Sequence, residues 1–304
     1  MQRMWTSKSR LARCLTVLLF ASAVSGWSAT NSPVPASTPT SNDLSNHLAK
    51  LQAMLPEGFT WTWQPPFVVI GDEAPTVVRQ RATNTVQWAV DRLKRDYFQR
   101  DPTPLVDIWL FKDKVSYEQW TKKLFNDEPT TPFGYFSPAH HALFMNISTG
   151  GGTLVHEIVH PFMRANFPAC PAWFNEGLAS LYEQSGSEGG RIVGYPNWRL
   201  PALQEAIRAG KVLPFEKLLA TTENEFYGGG TSAKRYNQHY AQARYLCYYL
   251  QQQGLLVKFY GSFVAGAKTD PAGVQTLRTV LGEKDLKAFQ KKWEKFVIGL
   301  RFEQ

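Results

Sequence analysis

Acidic residues are the minority charge in this chain, and cysteine is scarce. Lys and Arg number 33 against 25 Asp and Glu, a net charge of +8, with three cysteines in 304 residues. The basic surplus forms no Lys/Arg block with interleaved aromatics, which leaves nucleic-acid binding without support. Gly150-Gly151-Gly152 is followed by Thr153-Leu154 and not by Gly-Lys-Ser/Thr, so it is not a phosphate loop. The apolar run Leu15 to Val24 is about ten residues, too short for a comfortable permanent membrane anchor.

That run has another use. Arg3, Lys8, Arg10 and Arg13 precede it and small residues follow, the layout of a secretory signal peptide over residues 1–26. Ala21-Ser22-Ala23 and Val24-Ser25-Gly26 are alternative cleavage ends, and Cys14 precedes the run, which argues against a lipoprotein anchor. The leader holds four basic and no acidic residues, so the remainder carries a net +4. The expected location is periplasmic or secreted, with no stable membrane span after cleavage. Cys170 and Cys247 remain, with room for one disulfide; two buried thiols are the equal alternative.

A Ser/Thr/Pro-rich linker is expected over 27–50, an α+β lobe over 51–165 and a helical lobe over 166–304. Phe67–Gly71 and Leu105–Phe111 read as buried strands, Thr76–Phe98 and Ser116–Phe125 as helices. Gly134–Phe136 and Ala142–Ile147 read as a hairpin, with His140 and His141 as solvated turn residues. Gln184–Gly190 reads as a mobile loop. Beyond Trp198 helices are expected at 201–209, 215–220, 234–252, 255–264, 271–281 and 284–298. Thr221–Ser232 reads as a flexible connector, either a plain surface loop or a cover for the cleft.

The chemistry lies in Thr153-Leu154-Val155-His156-Glu157-Ile158-Val159-His160. Residues four apart on a helix share a face about 6 Å along the axis, so His156 and His160 can bind one tetrahedral metal ion. Glu157 stands at the margin of that face, able to touch a water at the metal without ligating it. The neighbours are apolar, so the imidazoles need partners, and a metal supplies one to each. A third ligand follows in Pro171-Ala172-Trp173-Phe174-Asn175-Glu176-Gly177-Leu178-Ala179, with Glu176 sixteen residues after His160. Two imidazoles and one carboxylate form a known catalytic Zn2+ shell with the fourth position open.

His-Glu-x-x-His followed by Asn-Glu-x-x-Ala resembles the gluzincin-type zincin metallopeptidases. The run Trp173 to Ala179, with Tyr240-Ala241-Gln242-Ala243 further on, is most similar to the bacterial peptidase MA-like families. The resemblance implies an α+β fold, with a zincin-like N-terminal lobe of mixed sheet plus metal-binding helix, and a helical C-terminal lobe. It implies a zinc metallopeptidase acting on a peptide or protein, Glu157 as general base and Tyr240 as oxyanion donor. His239 and Tyr236 are alternates for that donor, and a packed aromatic is an equal reading of Tyr240. The resemblance also implies that the strand before the metal helix, Leu143–Ile147, lies at the cleft edge, where a substrate strand can add.

Two features depart from that pattern. Pro161 directly follows His160 and forfeits a bond to the Glu157 carbonyl, at about 3 kcal/mol, so the helix is expected to kink or end there. The position four beyond the ligand Glu, where relatives place an Asp that orients a histidine, is Ser180; Glu183 is a candidate for that role. Functions left open beside the enzyme are a zinc-loaded but catalytically idle envelope binding or assembly protein, and hydrolysis of cell-wall peptides.

Overall fold

A computed structural model describes residues 41–129, 131–227 and 233–302. All of them lie in one of the two units into which the chain divides, Ser37–Gln304. Residues 1–26, the expected leader, lie outside the described residues, and Cys14 with them. The first element is helix α1 (Ser41–Met54), so the end of the expected linker, from residue 41 on, is ordered. Its apolar Leu44, Leu48 and Leu51 recur at helical spacing and pack on the sheet.

The sheet has five strands in the order β1-β2-β3-β5-β4. They are β1 (Thr60–Gln64), β2 (Phe67–Gly71), β3 (Val106–Phe111), β4 (Gly134–Ser137) and β5 (Ala142–Asn146). β2, β3 and β5 are parallel, while β1 and β4 run antiparallel on the two edges. The three parallel strands are nearly continuous apolar runs because both faces are covered. Phe67, Val69, Ile108, Leu110, Leu143 and Met145 face one core. Val68, Ile70, Trp109, Phe111 and Phe144 face the other. The expected hairpin is β4–β5, but its members fall differently from expectation. β5 is held on both sides, and the free edge is β4.

The first core is capped by α2 (Pro75–Arg81) and α3 (Trp88–Asp96), joined through a π-helical stretch at Ala82–Gln87. Helix α4 (Lys114–Phe125) covers the other face with α1, capped by the Asp113 carboxylate on the Ser116 N–H at 2.8 Å. Helix α5 (Gly151–Asn166) carries the histidines and continues five residues past Pro161. The missing bond is outweighed locally. Phe162 and Met163 are buried, and Phe162 stacks on Phe98 at 5.3 Å. The Asn166 amide donates to the carbonyls of Phe162 and Arg100 at 2.9 and 2.8 Å, tying down the last turn.

Helix α6 (Ala172–Leu181) carries Glu176 and leads into β6 (Ser185–Glu188) and β7 (Arg191–Gly194). The expected mobile loop is therefore a two-stranded hairpin. Gly189 and Gly190, at φ 56° and 77°, supply the positive φ values that a two-residue turn of this hand requires. The rest is helical: α7 (Leu200–Arg208), α8 (Phe215–Leu219), α9 (Glu223–Phe226), α10 (Ala233–Gln252), α11 (Leu256–Gly266), α12 (Val274–Leu281) and α13 (Leu286–Gly299). Gly228-Gly229-Gly230 lies outside the described residues. The boundary expected at 165/166 falls inside one hydrophobic core shared by α5, α6, α10 and α11. Among the described residues no helix is long and apolar enough to cross a membrane.

Candidate metal centre

Helices α5 and α6 bring His156, His160 and Glu176 together, with one ligand atom from each within 4.8 Å of the others. Glu176 Oε2 lies 3.3 Å from His156 Nε2 and 3.9 Å from His160 Nε2. Two ligand atoms about 2.0–2.1 Å from a tetrahedral ion stand about 3.3–3.4 Å apart, so the group is close to the spacing a zinc ion needs. Oε2 is also buried and has no hydrogen-bond partner. A buried carboxylate oxygen left unpaired between two imidazole nitrogens is costly unless a cation meets all three. The donor set fits a divalent metal with one position open.

The far nitrogens of both rings face side-chain oxygens. His160 Nδ1 donates to Asn175 Oδ1 at 3.1 Å, which leaves the Nε2 lone pair for a metal. His156 Nδ1 faces Glu183 Oε1 at 3.3 Å, a charge pairing without good hydrogen-bond alignment. Glu183 is in turn gripped by Arg199, with Nη2 at 2.7 Å and Nε at 3.1 Å, and by the Asn197 amide at 3.1 Å. Glu183 is thus the carboxylate beside His156, while Ser180 Oγ donates to the Glu176 carbonyl at 2.5 Å. The fit depends on Gly152 in the first turn of α5. A Cβ there would stand 2.0 Å from the Glu183 carbonyl oxygen.

Burial and charge act against each other in this cluster. Burial opposes protonation of His156, but the Glu176 and Glu183 carboxylates outweigh it and raise the pKa in the metal-free protein. Burial would raise Glu176, yet the His160 and His156 imidazoles and the Tyr227 hydroxyl hold it well below the usual range. Glu183 is likewise lowered against its burial by His156 and Arg199. Glu157 differs: burial dominates and pushes its carboxyl upward, partly offset by the two histidines and the backbone N–H of Phe136 on β4.

These groups lie in a cavity of about 1610 Å³ bounded by β4, α5, α6 and α7, which Glu157, Tyr227 and Tyr240 also line. Tyr240 is 6 % exposed, its ring 5.3 Å from Phe226 and 5.6 Å from the Arg199 guanidinium carbon. Of the alternates, His239 is buried with Nδ1 against the Phe226 carbonyl at 3.1 Å, and the Tyr236 side chain lies outside the described residues. Tyr227 carried no signal in the sequence, yet its hydroxyl donates to Glu176 Oε1 at 2.7 Å. Asn175 could have been found, since it adjoins Glu176 in the same motif. His140 and His141 are exposed and apart from the cluster. Cys170 and Cys247 are free thiols.

No family model matches the sequence, and no curated protein matches it.

Proposed function

We propose that the protein is an exported zinc-dependent peptidase of the gluzincin type, with His156, His160 and Glu176 as the metal ligands. One observation carries the reading: an unpaired, buried Glu176 oxygen faces two imidazole nitrogens beside a buried glutamate, inside a large cavity. About 1610 Å³ exceeds the roughly 300–1,000 Å³ of small-molecule pockets and suits a length of polypeptide. Export rests on the leader-like segment at 1–26.

Zinc, when bound, supplies Lewis acidity that polarises the substrate carbonyl and lowers the pKa of water toward about 7. Glu157 takes the proton from the attacking water and passes it to the leaving amine. Its upward shift by burial brings it nearer the operating pH, as a general base requires. Asn175 accepts from His160 Nδ1 and Glu183 faces His156 Nδ1, an arrangement that favours the tautomers presenting Nε2. Tyr240, lining the same cavity, is the proposed donor to the oxyanion that develops on the substrate. The free edge of β4 is the surface on which an extended substrate adds, replacing the inner strand β5 in that role.

The test is Glu157→Gln in a peptide-library assay. Loss of at least about 100-fold in cleavage with zinc retained is expected for removal of a general base. Equal cleavage by both proteins would sink the mechanism. Zinc binding without cleavage by either would favour the idle envelope-protein reading.

A further inference from the structure

The two oxygens of Glu176 have different surroundings. Oε1 accepts the Tyr227 hydroxyl at 2.7 Å. Oε2 has no hydrogen bond and is turned to His156 Nε2 and His160 Nε2 at 3.3 and 3.9 Å. One oxygen is claimed by the protein and the other is left for a cation. We propose that Tyr227 is a positioning residue that fixes Glu176 as a one-oxygen ligand and couples the segment 221–227 to the metal. The proposal rests on the metal reading of the site.

A carboxylate can grip a metal through one oxygen or both, and two would close the position a substrate needs. A hydroxyl donating to Oε1 stabilises its negative charge and holds the group edge-on to the histidines. Tyr227 does not act alone, because its segment is pinned. Thr222 Oγ1 accepts from the Glu225 N–H at 3.3 Å, and Glu225 Oε2 accepts from the Thr222 N–H at 2.8 Å, a capping box that starts α9. Phe226 is buried, and its carbonyl is met by His239. Tyr227 follows directly, 38 % exposed, and with Thr221 and Glu223 it lines the cavity. Through this one hydroxyl a cavity-wall segment touches a metal ligand. Coupling of this kind is reciprocal: if Tyr227 aids metal binding, the metal steadies residues 221–227. The donated proton is committed to Glu176, which separates this role from that of Tyr240.

The experiment uses the full chain and its Tyr227→Phe variant, which keeps the ring. Expected are a folded protein whose melting temperature without metal falls modestly, because buried Glu176 loses a donor, and zinc affinity weaker by about 10- to 100-fold in chelator competition. The visible absorption of the cobalt(II) protein should weaken as Glu176 turns to two-oxygen ligation. Zinc should slow amide exchange over 222–227 in the wild type and less so in the variant. Equal zinc affinity and an identical cobalt spectrum in the two proteins would overturn the proposal. A wild type that binds no zinc would overturn the metal reading itself. Should Tyr227→Phe not fold, Thr222→Ala, which frees the segment from outside the cavity, is expected to weaken zinc binding several-fold; unchanged affinity would overturn the coupling.

Discussion

Nδ1 of His156 stands 3.3 Å from Oε1 of Glu183, on the side of the ring away from Glu176. This pairing ties three parts of the chain together. His156 comes from α5, Glu183 from just beyond α6, and Arg199, which grips Glu183, from beyond the β6–β7 hairpin. The hairpin sets the distance between Glu183 and Arg199 along the chain and returns the guanidinium to the carboxylate.

Removing that carboxylate should loosen the metal before it disturbs the fold. Glu183→Ala is expected to weaken zinc binding by about 10- to 100-fold, read by chelator competition. Arg199→Met should weaken it less, because the carboxylate stays in place but is no longer steered. Wild-type affinity in both variants would show that His156 is oriented by something else.

Gly152 tests the same pairing from the backbone. A Cβ at that position would stand 2.0 Å from the Glu183 carbonyl oxygen, whereas one at Gly151 would meet only Thr85 side-chain atoms at 3.6 Å. Gly152→Ala should destabilise the protein by about 1–3 kcal/mol through enforced backbone movement, and weaken zinc binding as well. Gly151→Ala, a residue better suited to a helix, should be neutral or slightly stabilising. Denaturant unfolding of the two variants makes the comparison, and equal effects would contradict the packing described.

Zinc uptake should depend on pH in a particular direction. In the metal-free protein the flanking carboxylates raise the His156 pKa, so its proton must leave when the metal enters. Below that raised pKa, affinity should rise up to about tenfold per pH unit, and it should keep rising above about pH 7.5, where an ordinary imidazole near 6.5 has stopped titrating. Zinc titrations in pH-buffered chelator read the slope. A plateau from about pH 7 would show that the carboxylates do not hold that proton.

Local pattern carried the His156–His160 helix, the Glu176 helix, the parallel strands and most of the C-terminal helices, because each has a period or motif of its own. What escaped depends on partners distant in sequence. Thr60–Gln64 alternates without a fully buried face, so β1 gives a weak signal until β2 lies beside it. Ser185–Gly194 is polar and glycine-rich and becomes a hairpin through its turn and the Arg191–Asp96 ion pair at 2.9 Å to α3. Which member of the β4–β5 pair is the edge is decided by β3, not by either strand's composition. Pro161 does not end its helix, because buried packing and Asn166 hold the last turn. Tyr227 lies 51 residues from Glu176, in a stretch with no period to mark it.

Metal content is the most direct measurement. Purified protein lacking residues 1–26, beside a His160→Ala variant, should hold about one zinc per chain in the wild type, with most of it lost in the variant. A wild type that stays metal-free after incubation with zinc would contradict the account, and His156, His160 and Glu176 would then be a buried polar cluster and not a metal centre.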